Sequence, residues 1–335
     1  MSDCLRNCRK IGIIYDIPNK VLSSTPKKNI PSVVVSNSEI NDIIQALTSL
    51  GYDVDIIDGL ATLLNNKINI KKEFDLIFNK YIGREGLERK SPAPTICSFK
   101  KLPLIGSSAY TMTLARHKFH TNALLKGLGY PTPLSFISYS EKHMPKVKSY
   151  PVIVKPNHES DSLGISEESI CFNQQEVEAK IVELHKIFEQ PIVIEQYISG
   201  EEWKVGIIGN GYDTIVGDCV TTLRDNKPII NSLQTRNDNI YDRLIHQRVT
   251  AHSKLIKKAK YYAKEIHQAI GLNDYSRCDF RIGKDGKIYC MEISTHPYIG
   301  QINSSFIESL LKEIGTYSSI LEEILNAGMK RMNIN

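Results

Sequence analysis

The chain has 335 residues, 41% of them hydrophobic and 24% charged, the balance of a globular protein that buries a large core and divides into two or three domains. Its net charge of +5 is spread among interleaved acids and bases without a long basic block, which argues against nucleic acid and is compatible with an anionic small-molecule substrate. Seven cysteines without a C-x-x-C pair read as reduced thiols, and a polar stretch over 1–10 with no run of about 18 apolar residues points to a cytoplasmic protein without a membrane segment.

The first third alternates β-type apolar runs with helical patterns: strands over 10–15, 52–57 and 74–78, and a helix over about 38–50 that Gly51 stops. That rhythm predicts a parallel sheet with crossover helices. The turn after the first strand reads Ile14-Tyr15-Asp16-Ile17-Pro18-Asn19 rather than G-x-G-x-x-G, so a dinucleotide-binding enzyme is disfavoured.

Over 113–129, Leu114, Ala115, Phe119, Ala123 and Leu124 recur at helical spacing before Gly127, Gly129 and Pro131, predicting one helix that opens a middle domain. A strand over 150–155, a polar loop to about 166, a helix near 176–188 and a strand over 191–197 make that domain a small α+β unit. Beyond Gly200 follow strands over 203–208 and 214–222, a long polar stretch, a helix over 253–270 capped by Gly271, and a hairpin. No internal repeat or low-complexity segment is evident. The run His117-Lys118-Phe119-His120 lacks zincin spacing and reads as a helix face.

In the hairpin, two alternating strands between 275 and 293 flank Gly283-Lys284-Asp285-Gly286, which has turn chemistry. Pairing Ile282 with Lys287 sets Arg277 opposite Glu292 and Asp279 opposite Cys290; tightening the turn by one residue at each end sets Asp279 opposite Glu292 instead. In both registers Arg277, Asp279, Cys290, Glu292 and Ser294 share one face, and Cys278, Phe280, Ile282, Tyr289, Met291 and Ile293 share the other. Two carboxylates held together repel unless a cation lies between them, and oxygen ligands favour Mg²⁺ over Zn²⁺. Spacing alone also admits a surface ion pair between Arg277 and one acid.

Lys118 in the predicted helix, Lys155 closing Pro151-Val152-Ile153-Val154-Lys155-Pro156, the run Glu195-Gln196-Tyr197-Ile198-Ser199-Gly200-Glu201-Glu202, and the segments Arg277-Cys278-Asp279-Phe280 and Met291-Glu292-Ile293-Ser294 stand in a telling order. Over about 83–305 that order resembles the ATP-grasp ligases and, within them, the D-alanine:D-alanine ligase family. The resemblance implies an α/β and α+β protein of ATP-grasp fold, with a Rossmann-like domain over 1–112, a central ATP-grasp subdomain over 113–199 and a C-terminal one over 200–335 that carries the metal site, the last two sandwiching ATP.

It further implies that Lys118 and Lys155 contact the ATP phosphates, with Ser162 in the loop that covers them, and that Glu195, Gln196, Tyr197 and Ile198 face the adenine. Glu202 would hold the ribose hydroxyls, since a carboxylate accepts two hydrogen bonds at once. Asp279, Glu292 and Ser294 would bind Mg²⁺, two ions by the family's pattern and with Mn²⁺ able to substitute, while Arg277 would stabilise a tetrahedral oxyanion. Ser304 and Ser305 either hold a substrate carboxylate or simply cap the helix predicted over 306–314. A homodimer is carried from the resemblance alone.

The departures concentrate where substrates would sit. The family's Gly-rich turn and acid after the first strand are missing over 16–24; the loop over 157–164 carries Glu159 and Asp161 where Gly and Ser are usual. A lid lysine is replaced near His246, with Arg243 or Arg248 as substitutes; Ser294 stands for asparagine; and Tyr298 stands for a glycine, where its ring would crowd the acceptor site. These features predict an ATP-dependent carboxylate–amine ligase working through an acyl phosphate on amino-acid or small peptide substrates other than two D-alanines. The alternatives are the cell-wall D-alanine:D-alanine ligase itself and a non-catalytic ATP-binding regulatory protein.

Overall fold

The computed structural model describes residues 10–16, 35–65, 70–83, 86–160, 162–224, 227–228 and 244–334. It opens with β1 (Lys10–Tyr15), α1 (Asn37–Ser49), β2 (Asp53–Asp58), α2 (Gly59–Leu64), α3 (Ile70–Glu73), β3 (Leu76–Asn79), α4 (Pro92–Lys100) and β4 (Leu104–Ile105). The four strands form one parallel sheet in the order β2-β1-β3-β4. α1 starts where the Ser36 hydroxyl accepts the Glu39 N–H, satisfying one of the donors a helix start leaves over.

Next come α5 (Ala109–Arg116), α6 (Lys118–Gly127), β5 (Ser135–Ser138), β6 (Val152–Pro156), a 3₁₀ turn, β7 (Ile170–Cys171), α7 (Gln174–Phe188) and β8 (Ile192–Gln196). Their strands make an antiparallel sheet ordered β5-β8-β6-β7. The single helix predicted from 113 is in fact two, broken at His117 (φ −85°, ψ 83°). Asn157, just beyond β6, caps the second piece: its carbonyl accepts the Lys118 N–H at 3.2 Å and its Oδ1 the Phe119 N–H at 2.9 Å. A cap lent by a distant element leaves the local apolar period intact, so periodicity runs straight through the break.

The remainder comprises β9 (Gly200–Asn210), β10 (Asp213–Val216), β11 (Val220–Arg224), β12 (Lys227–Pro228), β13 (Leu244–Arg248), α8 (Ser253–Ala269), β14 (Tyr275–Gly283), β15 (Ile288–Ser294), α9 (Ser305–Ile314) and α10 (Tyr317–Met332). An antiparallel sheet runs β12-β11-β9-β14-β15, with β10 added on β9 and β13 on β11. The strand predicted over 214–222 is interrupted where the Asp218 N–H turns to the Ser309 carbonyl of α9 at 2.7 Å. Residues 317–332 carry no predicted element, yet α10 supplies Ile320, Leu321, Ile324 and Leu325 to the largest core.

One face of this large sheet is mainly apolar: Trp203, Val205 and Ile207 of β9 and Cys278 and Phe280 of β14 pack under Ala259, Ala263 and Ile266 of α8, and a buried polar pair among them joins Ser276 to His267 at 2.7 Å. The opposite face is divided. At one end Ile208 and Tyr275 lie under Phe306 and Leu310 of α9 and join Ile11, Ile13 and Phe78 of the parallel sheet in a common core. Along the rest, the same alternation presents Glu202, Lys204, Arg277, Asp279 and Arg281, which form the candidate site.

α9 comes this close because two glycines face it. A Cβ on Gly217 would stand 2.5 Å from the Ser309 carbonyl oxygen, and the Ser309 hydroxyl donates to the Asp218 carbonyl while accepting the Gly206 N–H at 2.9 Å. Among the described residues no helix is long and apolar enough to cross a membrane, and Cys97, Cys171, Cys219, Cys278 and Cys290 are free and buried. Gly217→Ala forces α9 off the sheet and is expected to cost about 1–3 kcal/mol, the range for overpacking, read as a lower urea midpoint; an unchanged midpoint contradicts the close packing described.

Candidate active site

The hairpin holds neither predicted register throughout. Ile282 pairs with Ile288, Arg281 with Tyr289 and Phe280 with Cys290, but Asp279 pairs with Glu292 and Arg277 with Ser294, so Met291 is the extra residue of a β-bulge. The tighter register is right on the acidic side of the bulge and wrong on the turn side. The predicted faces change with it: Cys290, expected beside the acids, is buried with Phe280 and Ile288 in the core, whereas Tyr289 leaves the core side and donates to Asp285 at 2.9 Å. The bulge thereby sets the two carboxylates directly across from each other while apolar side chains stay packed both above and below it.

Around the acids, cations arrive from four elements. Arg277 donates to both Asp279 oxygens, at 2.6 and 2.7 Å, with the two side chains only 19% and 11% exposed, so the pair is enclosed rather than the surface pair that spacing also allowed. From α6, Lys118 reaches Glu292 at 3.2 Å. On β9, Lys204 lies beside Asp279 in register and 3.2 Å from Glu202, which also receives Arg281 at 3.3 Å. Lys155 of β6 meets Glu195 at 2.6 Å.

The acids do not share one electrostatic fate. Burial pushes the Asp279 carboxyl above its ordinary range, and Arg277 offsets only part of that. Burial acts the same way on Glu292, but Lys118 and then Lys155 draw it below the usual range. Glu202, equally penalised by burial, is held low by Lys204 and Arg281. The charge shortfall is therefore local to Asp279, beside Glu292.

A divalent cation fits that shortfall. Asp279 and Glu292 offer hard carboxylate oxygens, and each carboxylate has about four acceptor positions, of which Arg277 takes two on Asp279; Ser294 follows on the same strand, opposite Arg277. Among the described residues no group of three or more His, Cys, Asp or Glu side chains is arranged as a metal cage. Two carboxylates without a cage is the donor set Mg²⁺ uses when phosphates complete its shell.

The remaining predicted residues fall into two groups. Glu195 is fully buried, its other oxygen accepting Asn122 Nδ2 at 2.8 Å, so in this structure its carboxylate orients Lys155. Sequence reading missed Asn122, which sits one helical turn after Lys118 and gave no signal without the fold. Gln196 and Tyr197 donate their N–H groups to Leu134 and Pro151, and the Ile198 carbonyl accepts Arg281, which fixes this segment against β14. Ser162 stands at a left-handed φ of +60° in the loop after β6, and Glu159 there is neutralised by Arg89 at 3.1 Å; Asp161 lies outside the described residues.

On the substrate side, Ser304 caps α9 by accepting the Ile307 N–H at 3.2 Å and donates to the Tyr298 carbonyl at 2.6 Å, while Ser305 accepts Arg277 at 3.4 Å. The Tyr298 ring lies over Gly300, where a Cβ would touch its hydroxyl oxygen, and faces Ser36 and Ser38 at the start of α1. Its ring is thus turned to the start of α1. Of the proposed lid cations, Arg248 is 3.8 Å from Glu308 and Arg243 lies outside the described residues, as do positions 17–24.

Two α+β units whose lysines converge on an acidic hairpin define the ATP-grasp class. Along its length the chain superposes on the D-alanine–D-alanine ligase of Bacillus anthracis complexed with ATP, with a TM-score of 0.71 at 20% identity over 97% of this chain and 99% of that one. The D-Ala:D-Ser ligase VanG of Enterococcus faecalis gives the same TM-score of 0.71 at 18% identity, over 96% and 100%. In sequence, the D-alanine–D-alanine ligase of Aquifex aeolicus (strain VF5) is 26% identical over 282 residues, 82% of this chain and 88% of that one. The profile of the family described as D-ala D-ala ligase C-terminus matches residues 137–326, and the chain belongs to that family.

The enclosed Lys155–Glu195 pair yields a stability prediction. Glu195→Leu leaves a buried ammonium without its counter-charge and is expected to cost about 3–5 kcal/mol. Adding Lys155→Met should restore part of that loss in chemical denaturation. Strictly additive losses from the two changes would show that the pair is not coupled.

Proposed function

We propose that the protein is an ATP-dependent, ADP-forming ligase that joins a carboxylate to an amine through an acyl phosphate, using amino-acid or small peptide substrates other than two D-alanines. The observation that carries the reading is the apposition of Asp279 and Glu292 at a site where Lys118, Lys155, Lys204 and Arg277 converge. Such a site suits a polyanion that brings its own divalent cation.

In the first step a substrate carboxylate oxygen attacks the γ-phosphorus, its bond to the β-bridging oxygen breaks, and ADP leaves. In the second, the amine attacks the acyl carbon, the oxyanion collapses, phosphate departs and the amine proton is released. Lys118 and Lys155 neutralise phosphate charge as point cations, and Glu202 accepts ribose hydroxyls. Arg277, oriented by Asp279, presents its edge toward Ser305 and the developing oxyanion. Mg²⁺ or Mn²⁺, bound by Asp279 and Glu292 with Ser294 beside them, would neutralise phosphate oxygens during transfer.

The specificity part rests on the substrate side. The acid in the first turn of α1, Glu39, is occupied by Lys80 at 2.7 Å and by the Ile299 N–H at 2.8 Å, both interactions buried. Glu39 is thus engaged within the protein and does not replace the amine-binding acid whose absence over 16–24 the resemblance points to. The D-alanine:D-alanine reading is favoured by the names of the relatives, and the regulatory reading by Ser294 and Tyr298.

The test is phosphate release with Mg²⁺-ATP across an arrayed panel of carboxylates and amines, followed by mass analysis. A condensed product from a pair other than D-alanine with D-alanine is expected, and Glu292→Ala should lower the rate roughly 100-fold or more with the fold intact. Turnover with D-alanine alone overturns the specificity argument; ATP binding without turnover of any pair favours the regulatory reading.

A further inference from the structure

A chain of polar contacts crosses three strands of the large sheet and leaves it at the far edge. Lys204 of β9 is 3.2 Å from Glu202 and donates to the Thr222 hydroxyl of β11 at 3.0 Å. Thr222 lies 3.1 Å from Nδ1 of His246, its register partner on β13, and His246 Nε2 is 3.1 Å from the Asn303 carbonyl. From these contacts we propose that His246 is a positioning residue, whose two ring nitrogens tie the Glu202–Lys204 pair to the loop that carries Ser304 and Ser305.

The donors and acceptors fix the Nε2 end of the ring, and the surrounding charge decides the other. A carbonyl only accepts, so His246 Nε2 carries a hydrogen toward Asn303. The Thr222 oxygen accepts from the Lys204 ammonium and keeps its own hydrogen for a bare His246 Nδ1; an imidazolium donating to the second Thr222 lone pair would add a positive charge beside Lys204 and Arg277 in a partly buried site. The ring is the neutral Nε2–H tautomer. Burial, then the nearby Lys204 charge, agree by pushing the imidazole down to about 4, with Arg277 acting the same way and Asn303 opposing. Near the position where the resemblance has the family's lid lysine replaced, this chain has an imidazole strut.

What the strut holds is a strained corner. Asn303 has a left-handed φ of +56°, which asparagine tolerates better than most residues. The next residue, Ser304, caps α9 and braces the Tyr298 carbonyl, and Ser305 meets Arg277. Fixing the Asn303 carbonyl therefore fixes the serines and one face of the Arg277 guanidinium. The catalytic consequence rests on the ligase reading, whereas the contact chain does not.

Two measurements keep those apart. In ¹⁵N-histidine-labelled full-length protein, two-bond ¹⁵N–¹H correlations should show His246 as the neutral Nε2–H tautomer from pH 6 to 8, with the Nδ1 shift moving in Thr222→Val. An imidazolium or a mixed tautomer in that range overturns the proposal whatever the protein's activity. With the pair found by the phosphate-release panel, His246→Leu should raise the KM of the amine substrate about three- to tenfold, the scale of a lost hydrogen bond, and leave the KM for ATP within about twofold. His246→Gln, which can accept from Thr222 and donate to Asn303, should restore most of the loss, and His246→Lys should not. Better rescue by lysine than by glutamine would show that the position acts through charge, and would overturn the proposal.

Discussion

Two carboxylates face each other across a β-hairpin, and most of the polar architecture answers the repulsion this creates. Asp279 and Glu292 are direct register partners, and neighbouring like charges oppose one another unless they are compensated. Compensation comes largely from elements distant in sequence, with Lys118 heading α6, Lys155 ending β6 and Lys204 on β9, and only Arg277, two residues before Asp279 on β14, is local. Break any of those elements and the acids lose part of what keeps them ionised side by side. Even so, Asp279 stays above its ordinary range, which leaves room for a divalent cation and not merely for more arginine.

The large sheet makes this possible by dividing the labour of one face. Where Gly206 and Gly217 admit α9, the face is apolar and joins the core of the parallel sheet; beyond that line the same strands carry charge. The reverse side is sealed under α8, so the charged half is backed by a rigid apolar layer rather than by water. Side chains on strands supported in this way hold their geometry better than side chains on loops. The charges thus form a preorganised surface, the arrangement that catalysis of phosphoryl and acyl transfer relies on most.

Much of this was legible in the sequence where a period or a chemical motif declares itself locally. β1 falls where its apolar run does, α1 stops at Gly51, and alternation in β14 correctly separates Arg277 and Asp279 from Cys278 and Phe280. What stayed hidden depends on partners far along the chain. The break at His117 needs Asn157 to cap α6, and the role of Glu195 emerges only once Lys155 and Asn122 converge on it. The bulge at Met291 is hidden for another reason: regular alternation sets Cys290 with the acids and Ile293 on the other face, and the two reach the core together only because one residue is skipped. The same holds for His246, whose bridge between Thr222 and Asn303 follows from which atoms surround it and not from its place in a motif.

The central claim is that the paired acids hold a divalent cation together with a nucleotide. Electron paramagnetic resonance of Mn²⁺ tests it most directly, comparing uptake by the protein with a non-hydrolysable ATP analogue, by the protein alone and by the nucleotide alone. The account predicts a ternary Mn²⁺ signal that needs both components and weakens about tenfold or more in Glu292→Gln, the scale of losing one charged ligand. Equal Mn²⁺ uptake by the native protein and the variant would contradict it.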